Sequence, residues 1–134
     1  MRRFAVLAMM LLVAAPSFAK VHKDGYQVPC STLWPAVKDT LRNSGKYGIL
    51  GLDNTELTAT YTMGIGAIGQ KRVNSVVLNA KGDNACEMVV QSGYSGITND
   101  DAGDFKKRVD KSLAELQKQT PPPALPAKTE TPTK

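Results

Sequence analysis

Two cysteines, Cys30 and Cys86, constrain this chain of 134 residues more than any other feature, because a bond between them closes a loop of 56 positions. A loop of this length stabilises the folded state by about 4 kcal/mol through the entropy that the unfolded chain loses. The gain is large for a domain of fewer than about 100 residues, which buries little apolar surface. Two cysteine thiols and one histidine distant in the sequence do not provide the ligands of a zinc site. A disulfide is predicted wherever the chain meets oxidising conditions.

The N-terminal segment indicates that the chain is exported to an oxidising compartment. Residues 1–19 have the three parts of a Sec-type signal peptide: two arginines, an apolar run from Phe4 to Ala15, and small residues at Ser17 and Ala19. We expect cleavage after Ala19 and a secreted or periplasmic product. The apolar run is shorter than the roughly 20 residues that span a bilayer, and the residue directly after the cleavage site is Lys20, not cysteine. No membrane anchor and no lipoprotein are therefore expected after cleavage.

Residues 20–29 read as an N-terminal arm, and a single domain is expected over residues 30–119. Ser31 can cap a helix that continues to about Asn43, with leucine and valine on one face at a spacing of four residues. A second helix is expected to begin near Asn99 or Asp100, with an apolar stripe that starts at Phe105. Residues 120–134 are rich in proline and lack periodicity, which predicts a disordered tail.

Strands are expected between the two helices. Residues 57–63 alternate between apolar side chains and threonines, which is typical of a strand with one buried and one exposed face. Residues 72–80 and 85–92 predict a hairpin, and 47–52 is a weaker strand. If Cys86 points inward, Met88 and Val90 share its face. The prediction is an α+β fold: an antiparallel sheet of three to four strands between an N-terminal and a C-terminal helix, with both helices on one face.

Charge and motifs exclude several functions. The two signal arginines account for part of the net charge of +5, and the domain itself is nearly balanced, so nucleic-acid binding is not expected. The run Gly64–Gly69 matches G-x-G-x-x-G, but it links two strands and is not followed by a helix, so no dinucleotide cofactor is expected. His22 is the only histidine and lies in the arm, which leaves no base for nucleophilic catalysis.

The exposed face of the sheet is the remaining candidate for function. It is expected to carry Thr58, Thr60, Thr62 and Val77, a surface that suits a flat contact with an envelope or secreted protein partner. The leading hypothesis is a non-enzymatic binding or accessory module of the bacterial cell envelope. The alternatives are a small carboxylate-dependent hydrolase and an inhibitor of a secreted enzyme that presents the Gly64–Gly69 loop. The alternative interpretation of these residues is an ordinary exposed strand face without any partner, as most small α+β domains have.

One metal site is conceivable at the mature N-terminus. Cleavage after Ala19 exposes Lys20, Val21 and His22, so that a free amine is followed by histidine as the third residue. The amine, two backbone amides and the imidazole can form a square of nitrogens, which Cu(II) and Ni(II) favour. The alternative is an incidental histidine in an arm.

Overall fold

The computed structural model describes residues 20–64, 71–93 and 100–120, and these form an α+β fold as expected. Two helices cover one face of a five-stranded antiparallel sheet with the strand order β1-β5-β4-β3-β2. The elements in chain order are β1 (Lys20–Tyr26), α1 (Cys30–Asn43), β2 (Tyr47–Asp53), β3 (Thr58–Met63), β4 (Arg72–Ala80), β5 (Cys86–Ser92) and α2 (Asp101–Gln119). The predicted signal peptide, residues 65–70 of the glycine-rich loop and the predicted tail from 121 onward lie outside the described residues.

The expected N-terminal arm is instead strand β1, and the sheet therefore has one strand more than the upper limit of the prediction. All seven residues of β1 pair with β5, from Lys20 opposite Ser92 to Tyr26 opposite Cys86. The prediction was wrong because the inward-facing positions of β1 carry His22, Asp24 and Tyr26. Such polar side chains do not produce the apolar alternation by which a strand is recognised.

Both helices form close to their predicted positions. Helix α1 begins at Cys30, and the carbonyl of Pro29 accepts the first two backbone N–H bonds, so the cap lies two residues before the predicted Ser31. Helix α2 begins at Asp101, and the side chain of Asp100 accepts a hydrogen bond from the Gly103 amide at 3.0 Å. A carboxylate at this end of a helix also interacts favourably with the helix dipole.

The disulfide between Cys30 and Cys86 is present and fastens the first residue of α1 to the first residue of β5. Met88 and Val90 are fully buried on the face that Cys86 shares, which confirms the predicted register. The core lies between this face and the two helices. Its largest fully buried side chains are Tyr61, Phe105, Leu33, Leu41 and Met88.

The opposite face of the sheet packs against neither helix. Val73 is 51% exposed and Val21 is 45% exposed, whereas the threonines of β3 are half-buried between their neighbours. Neither α1 nor α2 is long and apolar enough to span a membrane, and these are the helices found within the described ranges.

Candidate functional site

The inner face of the sheet becomes polar at the end from which α2 starts. Tyr61 of β3 lies opposite Asn74 of β4, and Asn74 lies opposite Ser92 of β5. These three side chains form a row across three strands, and their residues are only 0%, 2% and 1% exposed. Buried polar side chains of this kind are nearly always hydrogen-bonded in folded proteins. Their partners therefore indicate whether the row is structural or functional.

Within the part of the chain that the structure describes, three of the buried donors at this end lack an acceptor. The Asn74 carbonyl oxygen accepts a hydrogen bond from the Gly93 amide at 3.2 Å, but the Asn74 amide nitrogen has no partner there. The Tyr61 hydroxyl also has none, and the Tyr47 hydroxyl, which Arg108 approaches as a donor, has no acceptor. We call Tyr47, Tyr61 and Asn74 the donor cluster.

The two phenols of the donor cluster remain protonated at neutral pH. Burial raises the pKa of Tyr47 to about 12, and the negative charge of Asp104 contributes in the same direction. Burial raises the pKa of Tyr61 even further above its usual value, with smaller contributions from Tyr47 and Asp101. A neutral phenol donates one hydrogen bond, so the cluster presents two O–H donors and one N–H₂ group.

Aromatic rings form one wall of the donor cluster. The ring of Phe105 from α2 stacks on Tyr61 with 4.9 Å between centroids, and Tyr47 meets both rings edge-on at 5.2 and 5.5 Å. Phe105 is fully buried. Edge-on and stacked pairs at these separations are favourable arrangements of aromatic rings. The cluster therefore combines polar donors with closely packed aromatic rings.

An ion pair fixes the start of α2 beside the cluster. Arg72 of β4 donates two hydrogen bonds to the carboxylate of Asp101, from Nε at 2.7 Å and from a terminal nitrogen at 2.9 Å. The side chains are 16% and 4% exposed, so the pair is largely withdrawn from water. Bidentate pairs between arginine and carboxylate are geometrically specific. This one holds Phe105, a turn further along α2, over the sheet.

A second row of polar side chains lies on the inner face of β1. Tyr26 donates a hydrogen bond to Asp110 of α2 at 2.7 Å, and burial, followed by this bond, raises its pKa. His22 Nε2 lies 3.8 Å from one oxygen of Asp24, and the other oxygen has no partner among the described residues. Lys106 binds the second oxygen of Asp110. Assigning residues 20–29 to an arm concealed this row from the sequence analysis.

The predicted contact residues lie together on the opposite, open face of the sheet. Thr58 is paired with Val77 across β3 and β4, and Thr60 and Thr62 continue along β3. They share no contact surface with the donor cluster, which uses the inner face. A role for Thr58, Thr60, Thr62 and Val77 in binding a partner stays a prediction.

The residues of the proposed copper site are part of the sheet. Lys20 and His22 belong to β1, opposite Ser92 and Val90. A square of nitrogens that uses two backbone amides therefore requires this end of β1 to separate from β5. Within residues 20–64, 71–93 and 100–120, no three His, Cys, Asp or Glu side chains are close enough to hold a metal ion.

Comparison with known proteins gives similarity of fold at low identity. No family model matches the chain, and no curated protein sequence matches it. Among solved structures, the di-domain ARO/CYC StfQ from the steffimycin biosynthetic pathway superposes with a TM-score of 0.50 at 11% identity over 72% of this chain. The matched part is 44% of the StfQ chain, so this chain corresponds to less than half of that protein.

Two further structures superpose less closely. The Zhui aromatase/cyclase from Streptomyces sp. R1128 has a TM-score of 0.45 at 11% identity, over 73% of this chain and 85% of that one. Norcoclaurine synthase from Thalictrum flavum has a TM-score of 0.47 at 11% identity, over 73% of this chain and 94% of that one.

The fold similarity corrects the functional prediction. An antiparallel sheet with a long C-terminal helix across one face is the helix-grip arrangement, which the chain shares with StfQ. The prediction of an accessory module of the bacterial cell envelope is wrong, because the chain has the fold of StfQ, a di-domain ARO/CYC. The two alternatives, a carboxylate-dependent hydrolase and an enzyme inhibitor, gain no support from this fold. The error arose because the sequence analysis assigned function to the open face and treated the covered face as core only.

Proposed function

We propose that this chain is a small-molecule-binding domain whose ligand lies between the start of α2 and the sheet. The observation that carries the proposal is the donor cluster, where the buried polar atoms of Tyr47, Tyr61 and Asn74 have no acceptor in the described chain. An unpaired buried donor costs about 1–3 kcal/mol. A ligand that supplies an acceptor removes this cost, so the apo domain favours such a ligand.

The chemistry of the site defines the ligand class. All three unpartnered groups are donors, so the ligand presents oxygen acceptors such as a carbonyl. The stacked rings of Tyr61 and Phe105 favour a flat, unsaturated body. An aromatic ketone meets both requirements. The named activities of StfQ and of the Zhui protein, aromatase and cyclase, suggest ring compounds of the same general kind.

We also propose that the domain works outside the cytoplasm. The N-terminal pattern of two arginines, an apolar run and small residues supports export. The disulfide between Cys30 and Cys86 supports an oxidising location, because such bonds are rare where thiols are kept reduced. Mass spectrometry of the protein purified from an export host tests this: we expect an N-terminus at Lys20, and an intact Met1 contradicts export.

The proposed function is tested with two probes of matched shape. Acetophenone carries a carbonyl oxygen, and α-methylstyrene replaces that oxygen with a methylene group. Titration of the oxidised domain, followed by two-dimensional NMR of backbone amides, should show acetophenone binding at least about 10-fold more tightly, which corresponds to one good hydrogen bond. Equal affinities, or no binding of either probe, contradict the proposal.

Variants connect the binding to the cluster. Tyr61→Phe removes one unpartnered hydroxyl, and we expect it to abolish most of the preference for acetophenone. Tyr26→Phe is the matched control, since the Tyr26 hydroxyl already donates to Asp110 at 2.7 Å. The control should retain the preference. A preference that survives Tyr61→Phe but is lost in Tyr26→Phe places the ligand elsewhere.

A further inference from the structure

The two helices form an open cavity between them, and it includes no residue of the donor cluster. It has a volume of about 310 Å³, at the small end of the range for small-molecule sites, which is about 300–1,000 Å³. Every lining side chain is polar or charged: α1 contributes three, α2 contributes four, and Ser44 follows the end of α1. We call this cavity the interhelical groove; its lining residues are Asp39, Thr40, Asn43, Ser44, Arg108, Lys111, Ser112 and Glu115.

An ionised carboxylate is built into the wall of the groove. Asp39 accepts a hydrogen bond from the hydroxyl of Ser112 at 2.6 Å and another from the Asn43 amide. These two bonds lower the pKa of Asp39, so its negative charge persists at neutral pH. Ser112 is itself buried, with 5% of its surface exposed. Each oxygen of Asp39 can still accept a further bond from a bound group.

Thr40 provides an independent indication that the groove holds a ligand. Only 3% of this residue is exposed, it lines the groove, and its hydroxyl has no hydrogen-bond partner among the described residues. A buried hydroxyl without a partner is costly, and valine has nearly the same shape without that cost. The hydroxyl is therefore available to a polar group bound in the groove.

Positive charges lie on the α2 side of the same groove. Lys111 is 80% exposed and its Nζ lies 3.9 Å from Glu115, so this pair is loose and accessible. Arg108 also lines the groove, and its Nε donates a hydrogen bond to Asp104 at 3.0 Å. The groove thus offers carboxylates for a cation and cationic side chains for an anion within one small volume.

We propose that the interhelical groove binds a small zwitterion of the free amino-acid class. Its ammonium group is recognised by Asp39 and Glu115, its carboxylate by Lys111 and Arg108, and the Thr40 hydroxyl bonds one of the two. The groove shares no residue with the donor cluster, so this inference does not depend on the proposed aromatic ligand.

Three compounds of one size test the proposal: L-alanine, L-alaninamide, which lacks the carboxylate, and L-lactate, which has a hydroxyl in place of the ammonium group. NMR titration of the oxidised domain should show saturable shifts at the amides of Thr40 and Ser112 with L-alanine. We expect each analogue to bind at least about 10-fold more weakly, because each loses a charge-assisted contact. Equal binding of all three compounds, or no saturation with L-alanine, overturns the proposal.

Variants separate a binding role from a structural one. Thr40→Val should weaken L-alanine binding at least about 10-fold and also raise the thermal midpoint of the free domain, because it removes an unpaired hydroxyl. Lys111→Gln should weaken binding, whereas Lys118→Gln, at an exposed position in the last turn of α2 and outside the groove, is the matched control. A lower midpoint for Thr40→Val together with unchanged binding shows that the hydroxyl is structural and overturns the proposal.

Discussion

Tyr61→Phe should stabilise the free domain, and this expectation follows directly from the donor cluster. The Tyr61 ring is fully buried, stacks on Phe105, and carries a hydroxyl without a partner in the described chain. Phenylalanine retains the ring and its packing and removes only the hydroxyl. Relief of an unsatisfied buried group is worth about 1–3 kcal/mol. For a domain of this size, about 1 kcal/mol raises the thermal midpoint by about 4–8 °C.

Tyr26→Phe is the matched variant and should destabilise the free domain. Its hydroxyl donates to Asp110 at 2.7 Å, and hydrogen bonds to charged groups contribute about 1.5–3 kcal/mol. Urea unfolding of both oxidised variants, monitored by circular dichroism, gives the two changes in the free energy of unfolding. Destabilisation by Tyr61→Phe of more than about 1 kcal/mol means that its hydroxyl is satisfied in the folded protein, and it would refute the reasoning behind the binding site.

Three further predictions concern stability. Cys86→Ser should reduce the free energy of unfolding by about 4 kcal/mol, measured by urea titration. A loss below about 1 kcal/mol contradicts the claim that the disulfide stabilises the domain by restricting the unfolded chain. Arg72→Met should reduce the free energy of unfolding by about 3–5 kcal/mol, because it leaves Asp101 buried and unpaired. The double variant with Asp101→Leu should recover much of this stability. If the double variant recovers none, the unpaired carboxylate is not the cause of the loss. Stability should fall as the pH rises above about 10, because Tyr47 and Tyr61 ionise in the unfolded chain first; in a Tyr94→Phe background, tyrosinate absorbance that increases before circular dichroism is lost argues against their burial.

Local patterns predicted most of the architecture. The alternation in residues 57–63 placed Tyr61 on the buried face, and the parity of Cys86 with Met88 and Val90 gave the register of β5. The disulfide followed from the number of cysteines and the expected compartment. These inferences succeeded because strand parity and helix periodicity are properties of neighbouring residues.

The functional residues were missed for a physical reason. Asn74 faces inward opposite Tyr61, but its burial arises only in the assembled domain, where Arg72 and Asp101 hold the start of α2, 27 positions further along the chain, beside β4. A polar residue at an inward position of β4 was the available signal, because such a residue needs a partner or a ligand. The sequence does not show whether that partner exists in the protein, and this information came only from the assembled sheet.

Strand β1 illustrates a second limit of prediction from the sequence. Its inward row of His22, Asp24 and Tyr26 is partly covered by α2 through the bond from Tyr26 to Asp110. The strand forms because β5 offers an edge with which it can pair along its whole length. Backbone pairing of this kind leaves no periodic pattern in the side chains, so only the tertiary structure reveals it.

The most direct test of the central claim is to locate acetophenone in its complex with the oxidised domain by intermolecular nuclear Overhauser effects. We predict contacts between the ligand ring and Phe105, together with a carbonyl oxygen within hydrogen-bond distance of the Tyr61 hydroxyl. Contacts confined to the open face, around Thr60 and Val77, with none to Phe105, contradict the claim that the ligand lies between α2 and the sheet.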